Sequence, residues 1–294
     1  VLGNRKPAWL TNRSRFFEGI KMPHAINKDT QVCMSLAGRP GNTGTRFHNH
    51  LYEALNLNYL YKAFTTTDLP AAIGGIRALG IRGCAISMPF KEACIPLLDG
   101  LDPSAAVIDS VNTIVNDEGK LTGYNTDFLA VASLLDSHQV SRDLTLALRG
   151  SGGMAKAVAF ALREAGFKKG HIVARNPTTG RALAESCGYE WTESLGDLRP
   201  ELIINVTPVG MTGGPEADDL SFDDEVIQKA KVVFDVVAMP SETPLIKRAR
   251  ELDKPVITGA EVVALQALEQ FVLYTGIRPS PEQVEAAAAY SRNQ

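Results

Sequence analysis

Residues 144–166, LTLALRGSGGMAKAVAFALREAG, run as strand, glycine turn and helix. Gly150, Gly152 and Gly153, with Ser151 between them and Met154 after them, spell G-x-G-G-x-A, with Ala155 at the place of a last glycine. Such a turn lets backbone amides and a helix N-terminus face a pyrophosphate. A glycine triplet by itself is a weak signal. The strand before it, the helix after it and a second strand, HIVA (171–174), at the right distance make a dinucleotide site the better reading.

The end of that second strand distinguishes the two nicotinamide cofactors. An acidic residue there would bind a ribose 2′-hydroxyl, but the chain continues ARNPTTGRAL (174–183) without a carboxylate. Arg175 and Asn176, assisted by Thr178 and Arg181, offer the cation and the hydrogen-bonding groups that suit a 2′-phosphate. The expected cofactor is NADP.

Outward from this stretch, β-rich runs alternate with helical ones, the signature of strands joined by crossover helices. The second half adds LIINV (202–206) and VVFDVV (232–237), apolar as inner parallel strands are. In the first half, QVCMSLA, NYLYKAF, CAISM and VNTIV read as strands, and RFHNHLYEALN, LPAAIGGIRALG and KEACIPLLDG as helices. Between the halves, NTDFLAVASLLDSHQ (125–139) puts Phe128, Val131, Leu134 and Leu135 on one helical face, with Asn125 or Thr126 as cap. This helix is read as the passage between two domains. Two further helices, EVVALQALEQFVLYTG (261–276) and SPEQVEAAAAYSRNQ (280–294), are expected to return to the first domain. The fold class is α/β in two domains: an N-terminal α/β substrate domain completed by C-terminal helices, and a Rossmann-like NADP-binding domain.

The composition excludes other classes. Thirty Lys plus Arg against 33 Asp plus Glu gives no electrostatic pull toward nucleic acid or an anionic membrane. No apolar run reaches the roughly 20 residues of a spanning helix. Cys33, Cys84, Cys94 and Cys187 are scattered without metal-ligand spacing and read as buried, reduced thiols, which suits a cytoplasmic protein. His48 and His50 lie two apart on a helix, on different faces, so no metal is expected; His48 is read as a structural hydrogen-bonding residue. Residues 1–21 read as an extension, with the fold beginning near Met22.

In open α/β sheets the ligand lies beyond the carboxyl ends of the strands. CAISMPFK places Ser87 and Lys91 there, VNTIV adds Asn112, and YNTD adds Asn125 and Asp127. A lysine beside an aspartate can pass a proton to or from a substrate oxygen while hydride moves, which is what carbonyl reduction requires. Spacing alone does not bring Lys91 and Asp127 together, and two solvated loop charges read equally well.

The segments SMPFK, SVNTIV, YNTD, GSGGMAKAV, INVTPVGM, FDVVAMPSETPLI and GAEVVALQA together resemble the shikimate dehydrogenase family, from Gln31 to the last helix. The resemblance implies NADP-linked interconversion of 3-dehydroshikimate and shikimate. It implies a substrate domain of residues 22–126 and 260–294 around an NADP-binding domain of residues 127–259. It makes Lys91 and Asp127 the catalytic pair, and Ser87, Asn112 and Gln266 contacts to substrate hydroxyls. It places Thr207, Val209, Gly210 and Met211 on the nicotinamide side, with Gly259 near the same ring. The chain departs from the family in recognition. GRPGNTGTRFHN (38–49) is two residues shorter than the usual carboxylate-binding motif and has no serine, leaving Asn42, Thr43, Thr45 and Arg46 as replacements. Ala85, Ala238 and Met239 stand where the family has polar groups. A small ring acid is the expected partner, handled by a monomer or homodimer. The rivals are a quinate- or shikimate-preferring variant and an NADP-binding regulatory protein with little turnover.

Overall fold

A computed structural model describes residues 26–292; the expectation of an extension over 1–21 lies outside them. Two six-stranded sheets carry the chain. The first is built from β1 (Gln31–Leu36), β2 (Tyr59–Phe64), β3 (Gly83–Ile86), β4 (Gly100–Leu101), β5 (Thr113–Asp117) and β6 (Lys120–Tyr124), in the order β2-β1-β3-β5-β6-β4. β2, β1 and β3 run parallel, while β5 is antiparallel to both β3 and β6. Helix α1 (Thr43–Ala54) joins β1 to β2, and α2 (Leu69–Ala78) joins β2 to β3. The stretch after β3, expected as one helix, is instead a single turn, α3 (Phe90–Ala93), and a 3-10 turn (Ile95–Leu97). Pro96 explains the break, since it has no amide for an α-helical hydrogen bond. A further short helix, α4 (Pro103–Ala106), follows β4.

Helix α5 (Thr126–Ser137) leads out of this sheet. Asn125 caps it, its Oδ1 accepting the Phe128 amide at 3.1 Å. Val131, Leu134 and Leu135 are buried and Phe128 packs partly exposed against the same core. Burying each such side chain contributes about 1.5–3 kcal/mol.

The second sheet is parallel throughout: β7 (Leu146–Arg149), β8 (Gly170–Val173), β9 (Glu190–Thr192), β10 (Leu202–Asn205), β11 (Val232–Asp235) and β12 (Val256–Thr258), in the order β12-β11-β10-β7-β8-β9. Helices α6 (Gly153–Glu164), α7 (Pro177–Cys187), α8 (Asp224–Lys229) and α9 (Pro244–Glu251) connect the strands. The strand order reverses between β7 and β10, so a crevice opens over their carboxyl ends. Helix α10 (Gly259–Thr275), begun by a Thr258–Glu261 capping box, packs along α5 and carries the chain back to the first sheet. There α11 (Pro281–Arg292) lies on α1.

Among the described residues no helix is long and apolar enough to cross a membrane. All four cysteines are free and buried. His48 departs from its expected role. It is fully buried and stacked on Tyr61 with ring centroids 4.4 Å apart, and among the described residues neither ring nitrogen has a hydrogen-bond partner. Burial holds its imidazole down to about 3; the nearby Gln270 amide opposes that shift without reaching hydrogen-bond geometry.

Candidate active site

Lys91 is placed by the turn that follows β3. The Phe90 amide donates to the Ser87 carbonyl at 2.9 Å, closing α3, and the Lys91 carbonyl accepts the Val111 amide at 2.9 Å. Asp127 sits in the first turn of α5, where the positive end of the helix dipole favours a carboxylate. The two meet: Lys91 Nζ donates to Asp127 Oδ2 at 3.0 Å, with the lysine side chain 31% and the aspartate side chain 10% exposed. The pair is half sheltered, its lysine open to one side.

Beneath it lies a polar network. Asn112 Oδ1 accepts from the Thr126 amide at 2.8 Å, the Thr126 hydroxyl at 3.1 Å and the Thr113 hydroxyl at 2.9 Å. Its Nδ2 is buried and has no partner among the described residues. A buried donor left unpaired costs about 1–3 kcal/mol, so an acceptor arriving at that point would be bound with corresponding strength. From α10, the Gln270 amide donates to Thr113 Oγ1 at 3.0 Å and to the Asn112 carbonyl at 3.3 Å. Gln266, one turn earlier on the same face, is half-buried and makes no hydrogen bond among the described residues. Ser87 is exposed just before α3. Thr45 Oγ1, in the first turn of α1, is a buried hydroxyl without a partner among the described residues. Arg46 does not supply a free cation: its guanidinium donates to the Tyr290 carbonyl and lies over the Tyr290 ring.

The glycine turn borders a cleft of about 490 Å³ lined in part by Gly150, Ser151, Gly152, Arg175, Asn176 and Thr207. Gly150 has φ +129, a conformation that side chains rarely adopt. At Gly152 and Gly153 an added Cβ would meet nothing within 4 Å, so packing does not demand glycine there and the backbone is open to close approach. Among the described residues no side chain caps α6, which leaves its first amides open to an anion. Ser151 Oγ and Thr179 Oγ1, 2.7 Å apart, tie the turn to α7, which Asn176 caps. Arg175 is exposed at the end of β8 and makes no ion pair among the described residues, and Glu193 and Asp223 line the same cleft. The residues present therefore fit a pyrophosphate with a phosphorylated ribose.

The two polar regions are joined. Lys156, in α6, pairs with Glu92 of α3 at 3.6 Å, and Glu92 is the neighbour of Lys91.

Residues 43–114 match the family model described as the shikimate dehydrogenase substrate binding domain. A shikimate dehydrogenase-like protein of Haemophilus influenzae is 54% identical over 92% of this chain and 99% of its own length. The chain belongs to the shikimate dehydrogenase family. A solved shikimate 5-dehydrogenase-like protein, also 54% identical, superposes with a TM-score of 0.91 over 92% of this chain and all of that one. The Thermus thermophilus shikimate 5-dehydrogenase, solved in complex with NADP(H) and shikimate, is 30% identical with a TM-score of 0.78, over 89% of this chain and 99% of that one.

Within this family member, Ala155, Val209, Met211 and Gly259 are not among the residues that line the glycine-turn cleft. Ala155 is fully buried in the core beneath α6. Val209 is buried as well, its carbonyl accepting from Asn205 Nδ2 at 3.2 Å. Met211 is 41% exposed. Gly259 lies hard against the backbone of Val236 and Val237. Sequence reading missed Gln270 and Thr113 and gave Thr126 only as a possible helix cap. It also missed a second buried network, in which Asn205 Nδ2 donates to Asp235 and Asn205 Oδ1 accepts from the Thr207 amide and hydroxyl. Its signal was available, since Asp235 is a lone carboxylate in the apolar strand VVFD.

Proposed function

We propose that the protein is an NADP-dependent oxidoreductase of the cytoplasm that interconverts 3-dehydroshikimate and shikimate, or a closely related hydroxylated ring carboxylic acid. Residues 22–126 and 260–294 form its substrate domain and residues 127–259 its nucleotide domain. The observation that carries the reading is the Lys91–Asp127 contact of 3.0 Å, one residue from the Glu92 bridge to the glycine-turn helix.

The cofactor is held by Gly150, Ser151, Gly152, Gly153 and Met154 at the pyrophosphate, by Arg175 and Asn176 at the 2′-phosphate, and by Thr207, Val209, Met211 and Gly259 toward the nicotinamide. When bound, it supplies or accepts the hydride. Lys91 hydrogen-bonds the substrate carbonyl oxygen, steadies the negative charge that grows there during reduction, and gives it a proton. Asp127 keeps the ammonium aimed and shares that proton. In the reverse direction the pair removes the proton from the hydroxyl. Asn112, through its unpaired Nδ2, with Ser87 and Gln266, binds ring hydroxyls, and Thr45 serves the carboxylate end in place of the family's serines.

Ala85, Ala238 and Met239 remove polar partners from the site, and Met239 is 73% exposed. A site that hydrogen-bonds fewer hydroxyls discriminates less between ring acids, so quinate is the natural competitor to shikimate. Steady-state reduction of NADP with shikimate and with quinate, for wild type and Lys91→Ala, tests the reading. Turnover on a ring acid that disappears in the variant supports it. Nucleotide binding without turnover on any ring acid would show instead a regulatory protein.

A further inference from the structure

Asp235 ends β11 and is fully buried, yet among the described residues no cation pairs with it. Its partners are all neutral donors. Oδ1 accepts from Asn205 Nδ2 and from the Val237 amide, each at 3.0 Å, and Oδ2 accepts from the Thr243 hydroxyl at 2.7 Å. Thr258 is its neighbour across the ladder on β12. Three donors make the ionised form tolerable, but they leave a buried negative charge without a counter-charge.

Its position suggests where that counter-charge comes from. The sheet reverses between β7 and β10, and the residues that suit the 2′-phosphate, Arg175 and Asn176, follow β8 on one side of that crevice. A dinucleotide lying across it extends its other end over β10 and β11. The loops that follow these two strands are tied to each other, the Thr212 amide donating to the Met239 carbonyl at 2.9 Å. Both are anchored on the Asn205–Asp235 pair beneath them. We propose that the Asp235 carboxylate is the resident counter-charge for the nicotinamide ring in its oxidised, positively charged state, so that it favours NADP+ over NADPH in binding. This rests on the cofactor reading above. The same preference pulls hydride transfer toward ketone reduction.

Fluorescence titration of both nucleotides, in wild type and in Asp235→Asn, tests it. The amide is the same size, can accept from Asn205 and Val237, and can donate to Thr243. NADP+ is expected to bind about tenfold more weakly to the variant, the size of an interaction between unit charges roughly 12 Å apart at an effective dielectric of 20. NADPH affinity is expected to change by less than about twofold. Should Asp235→Asn fail to fold, the wild-type pH series decides. Burial raises the Asp235 carboxyl to about 6, so the NADP+ to NADPH affinity ratio should fall as pH drops through that value. The side chains beside Asp235 on β10, at the cap of α9 and on β12 are Asn205, Thr243 and Thr258, none of which titrates. The 2′-phosphate is common to both nucleotides and cancels in the ratio. A ratio indifferent to Asp235→Asn, or flat with pH when only wild type is available, overturns this inference alone. Wild-type protein that binds neither nucleotide overturns the cofactor reading and this inference with it.

Discussion

Replacing Gly259 with alanine should disturb the site through the backbone. A Cβ at this position would lie 2.4 Å from Val236 O and from the Val237 carbonyl carbon and oxygen, where ordinary contact begins at 3.4 Å. The difference, 3.4 minus 2.4, is 1.0 Å, and no rotamer can absorb it because all three atoms are main chain. Either the Val236–Val237 turn moves, straining the hydrogen bond that the Val237 amide donates to Asp235, or the start of α10 moves and takes Gln266 and Gln270 with it. Overpacking of this kind costs about 1–3 kcal/mol. In a chain of this length that lowers Tm by roughly 2–5 °C. A misplacement of about 1 Å at reacting groups costs on the order of 100-fold in rate. A thermal melt together with NADPH absorbance on the preferred ring acid reads both quantities. A folded Gly259→Ala variant with unchanged Tm and activity within about twofold of wild type would refute the claim that this contact sets the site.

Two further outcomes are expected. His48 is held down to about 3 in the folded protein against 6.5 when free, so its contribution to stability is complete above pH 6.5 and is lost as pH falls toward 3. The loss is on the order of 5 kcal/mol, and His48→Phe, which keeps the ring stack, should flatten that part of an equilibrium denaturation series; an unchanged slope refutes the assignment. Arg175→Ala should weaken NADP binding by about 10–100-fold, the range of a charge-assisted contact, and leave NAD binding unaltered, which competitive titration of the two nucleotides checks.

The second sheet was legible because its strands are apolar and its turn glycines punctuate them. Alternation of period-2 and helical patterns places β7, β8, β10 and β11 without tertiary information. What escaped was short or amphipathic. β4 has two residues and β12 three, too few for a period, and β6 (KLTGY) is pinned by pairing with β5 rather than by its own composition. α9 (PLIKRARE) is so polar that only Leu245, Ile246 and Ala249 reach the core. At the site, Lys91 and Asp127 could be named from motifs, but their contact spans 36 positions and depends on the α3 turn and the Asn125 cap acting together. Gln270 was hidden because a glutamine in a mostly apolar helix reads as a surface residue until Thr113 is seen beneath it. Arg46 stood among the possible replacements for the motif's serines, and its partner, the Tyr290 carbonyl, 244 positions away, was invisible to local reading.

The central claim is that Lys91 and Asp127 together move the proton that accompanies hydride transfer. Single-turnover oxidation of enzyme-bound NADPH by 3-dehydroshikimate measures that step directly. The account predicts that Lys91→Ala slows it by about 10²–10⁴-fold, the usual contribution of a general acid, while NADPH binds within about twofold of wild type. A variant that turns over at the wild-type rate, or one whose slowing is wholly matched by lost NADPH affinity, would contradict it.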